Sequence, residues 1–158
     1  MHKAIRIPLL AAFMIVLVAG TVLATTGSGL SPASPSRGIV TERVHFNTGE
    51  VKVQTKAPVA IVTQTIAFAA PSTSGWHAHP GVVLVTVTAG SLTRYNRNCS
   101  PTVYPAGSAF IESGDHAGLV RNESTTIAAA VSVTYLVPEG VLNTQLRIDK
   151  PNPGCPQS

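Results

Sequence analysis

Charged side chains are scarce in this chain of 158 residues, where they make up only 11% of the sequence. The few cations are scattered, without a basic stripe or an Arg-rich helix, so nucleic acid is not an expected partner. The formal net charge of +4 overstates the basic character, because Lys3 and Arg6 lie in the N-terminal tail. The hydrophobic content of 44% excludes a disordered chain and indicates one packed domain.

Several signatures of enzyme chemistry are also missing from the sequence. It contains no Gly-rich phosphate loop, no Ser-His-Asp elbow and no Cys-His nucleophile pair. After residue 38 no segment has a convincing helical period. Short runs rich in Val, Ile and Thr alternate there with turn residues, which is typical of an all-β sandwich or barrel. The sequence therefore predicts a single all-β domain over residues 38–150.

The longest apolar run, Ile7 to Ala24, follows a short cationic start and predicts an N-terminal hydrophobic helix within residues 1–24. As a helix this run of 18 residues would be about 27 Å long, so a cleaved signal peptide and an uncleaved signal anchor both remain open. In either case we expect the rest of the chain to be exported. Its location would be periplasmic, extracellular or anchored at the outer face of the membrane.

Two low-complexity segments flank the predicted domain. Residues 25–37, "TTGSGLSPASPSR", show no apolar period and predict a flexible linker. The tail at 151–158 is rich in Pro and contains Cys155, while the other cysteine, Cys99, lies in the turn-rich stretch "NRNCSPT". In an oxidising compartment such a pair predicts one disulfide that ties the tail to the body. Two free thiols are the alternative.

Three histidines are candidate metal ligands. His77 and His79, in "GWHAHPG", would point to the same side of a strand, and His116 follows in "ESGDH". Three imidazoles could bind Zn²⁺, Mn²⁺, Fe²⁺, Ni²⁺ or Cu²⁺ and leave positions open for water or substrate. The alternative is that His77 and His79 form hydrogen bonds within a pocket or at its rim, without a metal.

The segments "GWHAHPG…TAGSL" and "YPAGSAFIESGDHAGLVRN" resemble the two motifs of the cupins, and more closely those of small single-domain cupins. The matching residues are His77, His79 and Gly90 in the first motif, and Gly107 and Asn122 in the second. The spacing between the motifs also agrees with the family. The resemblance covers roughly residues 38–140 and implies a single cupin barrel, that is, a double-stranded β-helix or jelly roll.

Several positions depart from the cupin pattern: Pro71 replaces the opening Gly of the first motif, Ser113 and Asp115 replace the Pro and Gly of the second, and two metal-ligand positions are changed. Val83 stands where the first motif has a metal-binding Glu, and Gly118 stands where the second motif has its His. His116 precedes Gly118 by two residues and would lie on the same face of a strand, about 6–7 Å away. His116 becomes the third ligand if its loop bends so that the side chain returns towards His77 and His79. A carboxylate of Glu112 or Asp115 could reach the site instead, or both could be solvated turn residues.

Four more residues are candidates for the lining of a pocket in the barrel, namely Gln64, Val83, Thr86 and Arg121. Three of them are polar side chains within apolar strands, and a buried polar group needs a partner. That partner is either a bound ligand or the neighbouring backbone.

The expected function is binding of a small molecule, a divalent metal or both at a reduced histidine site. The resemblance implies one alternative, a metal-dependent enzyme of the dioxygenase or isomerase type that uses His77, His79 and His116. A structural or interaction module at the cell surface is another alternative. The expected partners are a small-molecule ligand, the membrane if the N-terminal segment is uncleaved, and a second copy of the chain in a homodimer.

Overall fold

A computed structural model describes residues 23–156, and the regular elements of this part of the chain are β-strands apart from one turn of 3-10 helix. The predicted N-terminal hydrophobic helix lies outside these residues, apart from its last positions. The strands are β1 (Ser28–Pro32), β2 (Ser36–Val40), β3 (His45–Asn47), β4 (Lys52–Gln54), β5 (Val59–Thr73), β6 (His77–Ala78), β7 (Val82–Ala89), β8 (Ser91–Tyr95), β9 (Pro101–Pro105), β10 (Ala109–Ser113), β11 (Leu119–Asn122), β12 (Ala129–Pro138) and β13 (Ile148–Asp149). One turn of 3-10 helix spans Asn143–Gln145. Between residues 23 and 156 no helix is long and apolar enough to cross a membrane.

Nine of these strands form one antiparallel sheet that curls into a nearly closed barrel. The sheet order is β10-β7-β12-β5-β11-β8-β9, and β1 and β2 also pair with β5. The long strand β5 pairs with β12 over Val59–Phe68, and near its end Ser72 and Thr73 pair with β11. Separate ladders join β3 to β4 and β13 to β6.

The interior of the barrel follows from the alternation of side chains along the strands. On β7, Val83, Val85 and Val87 are buried, whereas the residues between them are exposed. On β12, alternate residues from Ala129 to Val137 are buried in the same way. Val and other β-branched residues fit such a half-buried pleated surface, so the predicted all-β domain is confirmed.

The predicted flexible linker is wrong for most of its length. Ser28–Pro32 and Ser36–Val40 are strands, and both pair with the edge of β5 that β12 leaves open. The N–H and C=O groups along that edge need partners, and an irregular Ser- and Pro-rich segment can supply them without an apolar period. The barrel therefore begins before residue 38.

The C-terminal segment is held against the barrel at two places. Cys99 and Cys155 form a disulfide, as predicted. Between the 3-10 turn and this bond, β13 pairs with β6, with Asp149 opposite His77. The segment thus passes directly beside the histidine pair and forms part of its surroundings.

Candidate metal centre

Three buried side chains converge inside the barrel. His77 and His79 come from β6 and the residue that follows it, and Glu112 comes from β10. Each is no more than 7% exposed, and one potential ligand atom from each lies within 4.8 Å of the other two. This is the only such group of three or more His, Cys, Asp or Glu residues in the described part of the chain.

The backbone fixes the positions of the two histidines. His77 exchanges two hydrogen bonds with Gly118, because its N–H donates to the Gly118 carbonyl and its carbonyl accepts from the Gly118 N–H, each at 2.9 Å. The His79 N–H donates to the Gly114 carbonyl at 3.1 Å, and the Gly114 N–H donates to the Gly81 carbonyl at 2.9 Å. The segment of β6 is therefore clamped between the turn after β10 and the start of β11.

Both imidazoles are oriented by backbone carbonyls. Nδ1 of His77 lies 2.9 Å from the Gly75 oxygen, and Nδ1 of His79 lies 2.7 Å from the Leu146 oxygen. A carbonyl can only accept a hydrogen bond, so each Nδ1 carries the proton and donates it. In a neutral imidazole the lone pair then belongs to Nε2. This outer arrangement is the one that metal-ligating histidines use.

The two Nε2 atoms face the same carboxylate oxygen. Oε2 of Glu112 lies 3.2 Å from Nε2 of His79 and 3.9 Å from Nε2 of His77. In neutral imidazoles, all three atoms present lone pairs to one another, an arrangement that a cation between them would stabilise. The chemistry of this donor set, two imidazole nitrogens and one carboxylate oxygen, fits a divalent transition metal.

Protonation of the cluster also suits a metal. Burial lowers the pKa of His77 to about 4, so its imidazole is neutral at pH 7. Burial alone would raise the pKa of Glu112, but protonated forms of His79 and His77, the first through a hydrogen bond to the carboxylate, and the charge of Arg94 lower it to about 2. The carboxylate is therefore ionised at pH 7, and a cation between it and the imidazoles, whether proton or metal, is favoured. Oε1 of this carboxylate pairs with Nε of Arg94 at 3.3 Å, which leaves Oε2 for the histidine side.

His116, the predicted third ligand, does not join the cluster. It is exposed in the turn that follows β10, where its N–H faces the Ser113 carbonyl at 3.4 Å. Gly114, at a φ of 55°, turns the chain so that backbone rather than side chains of this loop faces β6. Glu112, which the sequence offered only as an alternative, occupies the third position. Asp115 is exposed like His116.

Glu112 lies beside both positions at which the cupin pattern has a ligand and this chain has none. In the ladder between β7 and β10 it lies directly opposite the buried Val83. A Cβ built on Gly118 would be 3.2 Å from Oε1 of Glu112. The carboxylate therefore comes from β10, the strand that pairs with β7 at Val83, and it lies next to Gly118. Strand alternation in "AFIES" places Phe110 and Glu112 on one face, but only the register with β7 reveals that this face meets Val83.

A cavity of about 290 Å³ adjoins the cluster. Its lining is predominantly aliphatic and aromatic and includes Leu30, Ile66, Phe68, Val83, Val85, Phe110, Val120, Val131, Val133 and Tyr135. Among the polar residues, Nε2 of Gln64 donates a hydrogen bond to the Tyr135 hydroxyl at 2.9 Å. The centre is therefore at one side of an apolar chamber with a few polar groups, which is typical of small-molecule sites.

Of the four residues predicted to line the pocket, Gln64 and Val83 do so, whereas Thr86 and Arg121 do not. Thr86 alternates with the buried Val85 and Val87 and is therefore exposed on the outer face of β7. Arg121 lines a separate depression outside the barrel interior and pairs with Glu123 at 3.5 Å. Tyr135 was not singled out from the sequence, although its place in the alternating pattern of β12 could have indicated it.

Comparison with known proteins finds similarity only at the level of structure. No protein-family model matches the chain, and no curated protein matches it. A cupin-like protein from Thermotoga maritima is similar over 48% of this chain and 56% of its own, with 15% identity and a TM-score of 0.44. An oxalate oxidase is similar over 50% of this chain and 46% of its own, with 20% identity and a TM-score of 0.42.

A third similar structure is an RmlC-like cupin from Shewanella frigidimarina, with 14% identity over 73% of this chain and 85% of that chain, and a TM-score of 0.48. The chain spans about half the length of the first two of these proteins. The fold assignment itself depends on the strand order and on the two motifs meeting at one site. On those grounds, residues 23–156 form an all-β, cupin-like barrel, in agreement with the resemblance of the sequence.

Proposed function

We propose that this protein binds one divalent transition metal ion through Nε2 of His77, Nε2 of His79 and the carboxylate of Glu112. The observation that carries the proposal is the orientation of the imidazoles. Both Nδ1–H groups are engaged by backbone carbonyls, and both Nε2 atoms face one ionised carboxylate. A metal ion at the point where the two Nε2 atoms and the carboxylate oxygen converge accounts for this common direction.

The ligand set leaves the identity of the metal open among Zn²⁺, Mn²⁺, Fe²⁺, Ni²⁺ and Cu²⁺. Zinc accepts two histidines with one glutamate, and the same set with open positions suits non-haem iron. Three protein ligands leave coordination positions for water or for a bound molecule. A metal held here would act as a Lewis acid towards a ligand in the adjoining cavity.

The residues around the cluster support this role. Arg94 holds Oε1 of Glu112 and so directs Oε2 towards the imidazoles. The Leu146 carbonyl, in the C-terminal segment, accepts the hydrogen bond from Nδ1 of His79 and so directs Nε2 of this residue towards Glu112. Groups of this kind commonly contribute a factor of about 10–100 to metal affinity.

Metal analysis of the full chain tests the proposal. The protein is stripped with a chelator, loaded with Zn²⁺ and assayed for bound metal and for affinity. We expect one ion per chain in the wild type and a loss of at least about 100-fold in affinity in His79→Ala and Glu112→Gln, because each removes a ligand. His116→Ala is the matched control and should bind like the wild type.

Two results would contradict the proposal. One is a wild-type chain that holds no stoichiometric ion after loading, which would favour a structural or interaction module. The other is loss of the ion in His116→Ala together with its retention in Glu112→Gln.

A metal-dependent enzyme is a second candidate, because the three ligands leave open positions that adjoin a cavity large enough for a small molecule. In such an enzyme Glu112, His77 and His79 would hold the ion, and the apolar wall would exclude water from the bound molecule. Turnover that depends on added metal and is lost in Glu112→Gln would support this candidate.

We also propose an exported location, which the disulfide supports because such bonds persist mainly in oxidising compartments. The mass of the mature protein tests it. Cleavage after Ala24 would indicate a signal peptide, whereas an intact N-terminus in the membrane fraction would indicate an anchor. An intact chain in the cytoplasmic fraction would contradict the proposal.

A further inference from the structure

We infer that the cavity takes a small carboxylate with an apolar body, and that Arg147 is the residue that binds its carboxylate group. The inference rests on the proposed metal site, since it names the class of molecule that would lie beside the ion. Arg147 precedes β13 and lines the cavity together with His77 and Tyr135.

The guanidinium of Arg147 is only partly used. Its Nε pairs with Oδ1 of Asp149, but its Nη2 is buried and has no hydrogen-bond partner among the described residues. A buried N–H group without a partner is costly, and such cases call for an unseen partner. The group that a guanidinium recognises best is a carboxylate or another planar anion.

Arg147 both lines the cavity and is partly accessible to solvent. Its side chain is 33% exposed, and the neighbouring Asn143 and Thr144 are exposed residues that line the same cavity. Arg147 thus shares the cavity with the buried His77 and remains partly exposed. A carboxylate bound by its guanidinium would lie in the same cavity as the proposed metal ligands.

The charges around the cavity favour an anion once the metal is bound. Glu112 is offset by Arg94, and Arg147 by Asp149. The charge of the divalent ion is then uncompensated by protein, in a site with little access to water. A monoanionic ligand reduces this excess of positive charge, whereas a cation or a second metal would be repelled.

The apolar lining of the cavity determines which chemical group the rest of the ligand should carry. The apolar part of the lining includes Ile66, Phe68, Val85, Val131 and Val133. These side chains offer no charge and no hydrogen bond, so they favour an aliphatic or aromatic group. A small carboxylic acid with an apolar chain or ring meets both parts of the cavity.

Binding of hexanoate and of its uncharged analogue hexanamide, measured by calorimetry on the zinc-loaded full chain, tests the inference. We expect hexanoate to bind more tightly than hexanamide. Arg147→Gln should lower the affinity for hexanoate about tenfold, because one charge-assisted hydrogen bond is lost. It should also reduce the preference for hexanoate over hexanamide. Arg97→Gln, which changes an exposed turn arginine, is the matched control and should have no effect.

The zinc content of each variant is measured in the same samples, so the two proposals can fail separately. Wild type and Arg147→Gln that both hold zinc but bind hexanoate equally would overturn the role of Arg147. A zinc-loaded wild type that binds no hexanoate would overturn the carboxylate class. A wild type that holds no zinc would instead refute the metal site. Loss of hexanoate binding in Arg147→Gln with zinc retained would support the inference.

Discussion

Residues 77–90 and residues 107–122, the two segments that carry the cupin-like motifs, contribute to one site in different ways. The first provides two imidazoles from their expected positions, His77 and His79. The second lacks the expected histidine and provides a carboxylate from Glu112. At the expected ligand positions of the first segment, His77 and His79 present their imidazoles to the cluster. In the second, Gly118 contributes only backbone hydrogen bonds to His77.

A candidate ligand position is therefore defined by its place in the fold and not by its place along the chain. Val83 and Gly118 each lack a ligating side chain, yet both adjoin the carboxylate of Glu112. Directly opposed residues on paired strands have Cβ atoms about 5 Å apart, so a carboxylate can change strands and still reach the same centre. The following predictions test how far the two segments differ.

The largest effect is expected at the glycine that closes the first motif. Gly90 has a φ of 67°, and an added Cβ would be 2.5 Å from the Ala128 carbonyl oxygen. Backbone strain and this clash together should cost Gly90→Ala about 4 kcal/mol in the free energy of unfolding. Gly107, in the second motif, has a φ of 87° but open space around it, so Gly107→Ala should cost only about 1 kcal/mol. Urea denaturation of both variants gives the comparison, and equal losses would contradict it.

Asn122 is expected to matter for stability and not for the metal. It is 2% exposed, and its Nδ2 donates to the carbonyls of Phe68, Ala69 and Ile127 while its Oδ1 accepts from the Ser124 N–H. Asn122→Ala leaves several buried backbone groups without partners and should lower the free energy of unfolding by about 3 kcal/mol.

The control for this variant is Asn98→Ala, at an exposed turn position, with an expected change within about 0.5 kcal/mol. Zinc stoichiometry is measured on the folded Asn122→Ala protein. Retention of one ion per chain is expected, and loss of the ion without unfolding would show that Asn122 acts on the site itself.

Acid should destabilise the metal-free protein through the cluster. The folded-state pKa of His77 lies at about 4, below its ordinary value of 6.5, so the unfolded chain binds the proton more readily between these values. The contribution of the neutral, buried His77 to the free energy of unfolding is fully present above pH 6.5. It falls by on the order of 2–3 kcal/mol as the pH decreases towards 4. Glu112, with a pKa lowered from 4.5 to about 2, adds a further loss between those values.

Urea denaturation with a chelator between pH 7 and pH 4 measures this dependence. His77→Gln should flatten the upper part of the curve, whereas His45→Gln, at an exposed position in β3, should leave it unchanged. A wild-type stability that is constant over this range would refute the assignment of a neutral, buried His77.

The smallest effect is expected at Gly118. Gly118→Ala adds a methyl group 3.2 Å from Oε1 of Glu112 and 3.6 Å from a terminal nitrogen of Arg94. The carboxylate must shift, so zinc affinity should fall about tenfold while the free energy of unfolding changes by less than about 1 kcal/mol. Gly140→Ala, where an added Cβ meets nothing within 4 Å, is the control. Unchanged zinc affinity in Gly118→Ala would show that the residue at position 118 does not affect the metal site.

Much of the fold could be predicted from the sequence, because alternating β-branched residues specify strands such as β5, β7 and β12 directly. The early strands β1 and β2 could not, since their Ser- and Pro-rich sequence carries no period and they are held by pairing with β5. Their strand conformation is a tertiary effect, which a local pattern does not contain.

The residues of the candidate site also fall into those that the local sequence predicts and those that depend on tertiary structure. His77 and His79 could be predicted because two residues separated by one lie on the same side of an extended chain. Glu112 could be named only as an alternative, because its approach to the histidines depends on the register between β7 and β10. His116 was favoured because its type suited the missing ligand, but the turn at Gly114 directs it to solvent.

The proposed metal site has His77, His79 and Glu112 as its ligands. The X-ray absorption spectrum of the zinc-loaded full chain tests it most directly, because imidazole rings give a distinct outer-shell signal that carboxylates lack. We predict the signal of two imidazoles, unchanged in His116→Ala and accompanied by loss of the ion in Glu112→Gln. A signal of three imidazoles that falls to two in His116→Ala would contradict the claim.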